Sequence, residues 1–176
     1  MKTPILETKR MLLRPIYVSD AEHIFKTWTS DEDVAKYMIW DTHETVEETI
    51  EWLKIEESNL MSDKNYTWGM VLKENDELFG TIGLNYKDEE KCFAIGYNIA
   101  KKYWSMGLTT EAGKRVIEFA QKELGQKKFF CRHALDNIGS MKVMTKLGFK
   151  YVKDGSYSSF SGKKHFDSKD YYLIVE

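Results

Sequence analysis

Residues 101–112 read KKYWSMGLTTEA, and residues 136–149 read DNIGSMKVMTKLGF. The first stretch follows an apolar run, CFAIGYNIA, turns at Gly107 and opens a helix with Thr109, Thr110 and Glu111. Backbone N–H groups in such a turn and in a helix's first residues lack intrahelical partners and carry partial positive charge. Strand, glycine turn and helix therefore form a cradle for an anion, and a pyrophosphate suits it well. Gly107 lets the backbone approach that ligand. A glycine between strand and helix is also common as a plain turn, so the second stretch matters. There Asn137 caps a helix that turns Met141, Met144 and Leu147 inward and Lys142 and Lys146 outward, with Gly148 placed for a left-handed stop.

Outward from this centre, MLLRPI reads as a short strand ended by Pro15, and Ser19 or Asp20 caps a helix carrying Ile24, Phe25 and Trp28. SDED reads as a turn. Residues 45–61 space Val46, Ile50, Leu53 and Leu60 as a second amphipathic helix, with Thr45 and Glu48 as its capping box. YTWGMVLK, LFGTIGLNY and CFAIGYNIA, parted by the polar turns ENDE and KDEEK, predict an antiparallel meander. After Gly107 the period becomes helical, with Leu108, Ala112, Val116, Phe119 and Ala120 on one face. KKFFCRHAL then predicts a strand parallel to CFAIGYNIA through a right-handed crossover. A hairpin follows, FKYVKDGSYSSF and KDYYLIVE joined near SGKKHFD. The order predicts one domain over residues 1–176, an α+β (α/β mixed) sandwich.

A chain of 176 residues, 42% of them hydrophobic, can bury a substantial core. Its formal net charge of −2, with 26 basic residues spread rather than clustered, argues against nucleic acid as a partner. Cys92 and Cys131 are too few for a disulfide framework or a metal cluster, and each sits in an expected strand as a small buried hydrophobe. No signal core opens the chain, and no apolar run reaches the roughly 18 residues that span a bilayer, so no membrane partner and a cytoplasmic location are expected.

Together, ETKRMLLRPIYVSDAEHIF, SDEDVAKYMIW, IGYNIAKKYWSMGLTTEA and DNIGSMKVMTKLGFKYV resemble, nearly end to end, the GNAT superfamily of acetyl-CoA-dependent N-acetyltransferases. The RimJ/RimL-like branch, whose members include ribosomal-protein N-acetyltransferases, is the nearest likeness. The superfamily pattern of Gln/Arg, two residues, Gly, one residue, Gly/Ala falls on Trp104, Gly107 and Thr109, and only the glycine matches strictly. Trp104 fits the YWG-type loop of that branch. Ser105 replaces a frequent glycine and Thr109 a frequent alanine; Ser105 can still cradle a phosphate with ordinary dihedrals, and both hydroxyls can donate to it or cap the helix.

The resemblance implies the acyl-CoA N-acyltransferase fold, a mostly antiparallel central sheet with a splayed parallel strand pair flanked by helices, and acetyl-CoA as cosubstrate with no metal. It places the pyrophosphate on Trp104, Ser105, Met106, Gly107, Leu108, Thr109 and Thr110. It places the pantetheine between the splayed strands, near the backbones of Tyr97 and Ile99, with an N–H there serving the oxyanion. The family's Asn, two residues, Ser pattern falls on Asn137 and Ser140, and Lys142 and Lys146 can meet the ribose phosphate. The tyrosine that donates to the thiolate in many relatives is Met144 here, so Ser140 becomes the candidate thiol acid. The base stays open among His133, Glu89, Glu90, Tyr97 and a water chain. Trp28, Tyr37, Trp40 and Trp68 can line a substrate entrance or pack the core. The acceptor is a primary amine, on a protein N-terminus or on a small molecule. A CoA-binding sensor without transfer, or a transferase of a longer acyl group, are the rival readings, and an edge strand of the hairpin can support a homodimer.

Overall fold

Polar breaks at residues 74–77 and 88–91 fold three apolar runs back on one another as β3 (Asn65–Leu72), β4 (Leu78–Lys87) and β5 (Cys92–Ile99). A computed structural model describes residues 1–176 and confirms this meander. β1 (Leu6–Glu7) and β2 (Met11–Arg14) extend it on the β3 side. On the other side β6 (Lys128–Ala134) lies parallel to β5, and β8 (His165–Ile174) slots between β6 and β7 (Lys150–Ser158). The eight strands form one sheet, in the order β1-β2-β3-β4-β5-β6-β8-β7.

Helices cover both faces. The long helix α4 (Leu108–Leu124) buries the expected stripe of Leu108, Ala112, Val116, Phe119 and Ala120. Phe119 meets Tyr66 and Trp68 edge-on, with ring centroids 5.7 and 5.6 Å apart, and burial of such a ring contributes about 1.5–3 kcal/mol. α5 (Ile138–Lys146) packs beside α4, and Gly113 permits the approach: a Cβ there would stand 2.8 Å from Leu147 Cδ1. α3 (Val46–Ser58) opens with the capping pair, the Thr45 N–H donating to Glu48 Oε2 at 3.1 Å.

The structure departs from the sequence reading in several places. SDED is no turn, because the Asp31 carboxylate accepts the Asp33 N–H at 2.9 Å and starts the short helix α2 (Glu32–Ala35). α1 (Ala21–Ile24) is entered through a 3-10 turn, with Asp20 accepting the Tyr17 N–H at 2.9 Å rather than capping the helix itself. The helix then widens into a π-turn over Phe25–Thr29, where Thr27 and Ser30 hydroxyls donate to the carbonyls of His23 and Phe25 and compete with the regular ladder. The terminal hairpin is tighter than read, since β8 already begins at His165. No helix is long and apolar enough to cross a membrane.

Candidate functional site

β5 and β6 pair at two registers, Phe93 with Phe129 and Ala94 with Phe130. Beyond these the strands part, although β5 continues against β4 to Ile99 and β6 continues against β8 to Ala134. The Ala100 N–H donates to Phe79 O at 2.8 Å. Strand alternation therefore turns the N–H groups of Gly96 and Asn98 toward β4 and those of Tyr97 and Ile99 into the gap. On the same side the Ile95 carbonyl accepts the Cys131 thiol at 3.4 Å, and the Ile99 carbonyl accepts Trp104 Nε1 at 3.0 Å.

The gap opens onto the loop before α4. Gly107 is the N-cap residue at φ 74°, and it offers no side-chain cap. The Glu111 N–H donates to Gly107 O at 3.1 Å, which leaves the N–H groups of Leu108, Thr109 and Thr110 without intrahelical partners. Ser105 is also left-handed, at φ 64°, so its dihedrals are not the ordinary ones expected. Thr109 does not cap α4 either, since Gly107 holds that position and Thr109 itself is buried. Across the gap Asn137 caps α5, its Oδ1 accepting the Ser140 N–H at 3.2 Å. The Ser140 hydroxyl lies 3.0 Å from the phenol of Tyr97.

These elements surround a cavity of about 570 Å³ lined by Tyr97 to Ile99, Trp104 to Thr110, Asn137, Ser140, Lys142 and Lys146, with Asp33, Val34, Tyr37 and Met38 as the opposite wall. Every residue the sequence reading placed at the cofactor thus borders one cavity. Lys142 and Lys146 are exposed and neither forms an ion pair, which leaves two positive charges on its rim. Lys101 pairs with Asp33 and draws that carboxyl below its usual range. Burial pushes the Cys131 thiol up to about 12, so it stays protonated and a poor nucleophile.

Three of the candidate bases lie elsewhere. His133 is buried, one ring nitrogen 2.7 Å from Ala134 O and the other 3.2 Å from the Tyr171 hydroxyl, with no face on the cavity. Glu89 and Glu90 precede β5, at the end opposite the loop, where Glu90 holds the Tyr172 hydroxyl. Trp28 and Trp68 are fully buried in the core and Trp40 packs against it, so of the suggested entrance aromatics only Tyr37 reaches the cavity.

Two participants escaped the sequence reading. Arg10 donates through Nη1 to Met106 O at 3.0 Å and through Nε to Glu111 at 2.7 Å, fastening the loop from the far end of the chain. Asn98 lines the cavity, donates to Thr81 Oγ1 at 3.0 Å, and keeps its own Oδ1 buried without a partner.

A sheet pried open above a glycine-headed helix N-terminus defines a class, the enzymes that transfer acyl groups from coenzyme A thioesters. The chain belongs to the GNAT acetyltransferase family, whose acetyltransferase domain model matches residues 10–150. It is 30% identical over 148 residues, 84% of this chain and 83% of its relative, to a Bacillus subtilis (strain 168) protein named as an uncharacterized N-acetyltransferase, YoaA. Its fold is similar to that of RimL, a ribosomal alpha-N-protein acetyltransferase solved with coenzyme A, at TM-score 0.84 and 15% identity, covering 98% of each chain. A spermidine N-acetyltransferase from Vibrio cholerae, solved with CoA and spermine, superposes at TM-score 0.76 and 14% identity, covering 94% of this chain and 95% of that one. The protein is accordingly an acetyl-CoA-dependent N-acetyltransferase.

Proposed function

We propose that acetyl-CoA and the acceptor amine meet in the β5–β6 gap and that the acetyl group passes directly between them. The observation that carries this reading is the two-register seam, which leaves strand N–H groups open beside a helix N-terminus whose own N–H groups are free. Gly107, Leu108, Thr109 and Thr110 receive the pyrophosphate through these N–H groups, with Trp104, Ser105 and Met106 forming the rest of the loop. Asn137 keeps an amide N–H free for the pantetheine arm, and Lys146, with Lys142 beside it, faces the ribose phosphate. An N–H of Tyr97 or Ile99 meets the carbonyl oxygen where negative charge develops. The Ser140 hydroxyl hydrogen-bonds the departing sulfur.

The thioester supplies an activated acetyl carbon; the chain supplies position and donors. Water carries away the proton of the amine. The unpartnered Asn98 Oδ1 takes an N–H of the acceptor, which orients the nitrogen lone pair and relieves a buried polar group whose isolation costs about 1–3 kcal/mol. The acceptor is a primary amine of a protein N-terminus or of a small molecule, and the chain from 1 to 176 acts as a single domain.

Calorimetric titration with acetyl-CoA, on the wild type and on Gly107→Val, tests the cofactor site. Valine cannot hold φ 74° without strain, so affinity is expected to fall by about tenfold or more while the fold survives. A screen of peptides and polyamines for acetyl-CoA consumption then identifies the acceptor. Binding with no transfer to any amine would turn the reading toward a CoA sensor. Replacing Cys92 or Cys131 with Ala leaves turnover largely intact if transfer is direct.

A further inference from the structure

Tyr97 reaches from β5 to the first turn of α5, and both of its polar contacts there are to one residue. Its hydroxyl lies 3.0 Å from Ser140 Oγ and donates to the Ser140 carbonyl at 3.2 Å. A carbonyl oxygen only accepts, so the phenolic proton lies on the Ser140 side, and at the Oγ contact either hydroxyl can be the donor. Where the phenol donates to Oγ, Ser140 is relieved of donating back to it. Its other neighbour is Met144 Sδ at 3.8 Å, a weak acceptor. In that arrangement the serine's own proton is free to point into the cavity that both residues line.

We propose that Tyr97 is a positioning residue for transfer: it donates to Ser140 and thereby turns the Ser140 hydroxyl proton toward the sulfur of the bound thioester. This rests on the reading of Ser140 as the sulfur's hydrogen-bond donor. As the N–C bond forms, the C–S bond breaks with its electron pair on sulfur. The proton shed by the acceptor nitrogen passes through water and ends on that sulfur; Ser140 and Tyr97 keep theirs. Burial pushes the Tyr97 phenol well above its ordinary value, so it keeps the proton that this role requires.

CoA itself is the probe, so no acceptor need be known. The thiol of CoA bound to the full chain is titrated by the ultraviolet absorbance of its thiolate. The complex with desulfo-CoA subtracts the tyrosines. Wild type, Ser140→Ala, Tyr97→Phe and the double variant are compared at saturating CoA, with circular dichroism as the fold control and Tyr97→Met as a replacement should the phenylalanine variant not fold. Ser140→Ala is expected to raise the bound thiol's pKa by about one unit, and Tyr97→Phe by a smaller amount. In the Ser140→Ala background Tyr97→Phe should add nothing, because it acts through the serine. Asp33, Asp136, Cys131, Lys142 and Lys146 also border or adjoin the cavity, and their effect on the thiol cancels across the four proteins.

If Ser140→Ala raises the pKa while Tyr97→Phe does nothing, or adds the same increment in both backgrounds, the positioning role is overturned and the serine reading stands. If Ser140→Ala changes nothing, both fall.

Discussion

Arg10 and Glu111, 101 positions apart, join the turn before β2 to the first turn of α4: the Arg10 N–H donates to Oε1 at 2.9 Å and its Nε to Oε2 at 2.7 Å. Their side chains are 42% and 23% exposed, so the pair itself contributes at most about 1 kcal/mol to stability. Its importance is geometric, since the same guanidinium holds Met106 O. Arg10→Ala should weaken acetyl-CoA binding about threefold to tenfold with little change in melting temperature. Calorimetry and a thermal melt check this, and a large melting loss at unchanged affinity would make the pair merely structural.

Ser105 sits at φ 64° in the same loop. A left-handed backbone penalises a residue with a Cβ by roughly 1–2 kcal/mol, partly offset by glycine's greater freedom in the unfolded chain. Ser105→Gly is therefore expected to stabilise the protein by about 0.5–1 kcal/mol, read as a higher urea midpoint at unchanged slope. A lower midpoint would mean that the serine hydroxyl matters more than the backbone.

Lys164, at the tip of the β7–β8 hairpin, donates to Ala35 O at 2.9 Å and Trp40 O at 2.7 Å, while the Tyr157 hydroxyl donates to Tyr37 O at 2.6 Å. The hairpin thus holds the chain segment that forms the cavity wall opposite the cofactor loop. Lys164→Met leaves Trp40 O without its donor, while Ala35 O keeps the Met38 N–H at 3.0 Å, and should destabilise by about 1 kcal/mol. Kinetically it should raise KM for the amine and leave acetyl-CoA affinity unchanged; the reverse pattern would place the acceptor elsewhere.

His43 bonds Thr49 Oγ1 at 2.7 Å, and Thr49 bonds Thr29 at 2.9 Å in a buried polar chain. Burial lowers the imidazole's pKa from its ordinary 6.5. The unfolded state then takes up a proton that the folded state resists, so this group's contribution is present above pH 6.5 and is lost as pH falls toward the depressed folded value. His43→Gln should flatten the fall in melting temperature between about pH 7 and 5. An unchanged slope would show that other groups govern that range.

Local signals were legible. Gly107, Asn137 and the Thr45–Glu48 capping pair announce helix starts through residues within a few positions of one another, and the strands of the meander are bounded by their polar turns. What escaped depends on distance along the chain. Nothing near Arg10 points to Met106, and nothing in CFAIGYNIA tells that Tyr97 will find Ser140 or that Asn98 will keep an oxygen unpaired. Trp28 and Trp68 read equally well as entrance or core until packing decides. SDED carries turn residues, yet one carboxylate on one N–H makes it helical. His133 has the right chemistry for a base and the wrong burial, which sequence does not report.

The two-register seam between β5 and β6 also divides the sheet mechanically. One plate, β1 to β5, and a smaller one, β6, β8 and β7, share a hinge two residue pairs long. A ligand lying in the gap is then a spacer that stiffens the joint, and every molecule that binds the folded form also withdraws chains from the unfolded pool. At a hundredfold excess over Kd that linkage is worth about 2.7 kcal/mol. Resistance to proteases should accordingly rise and fall with the supply of the thioester, so the durability of the enzyme records the abundance of what it consumes.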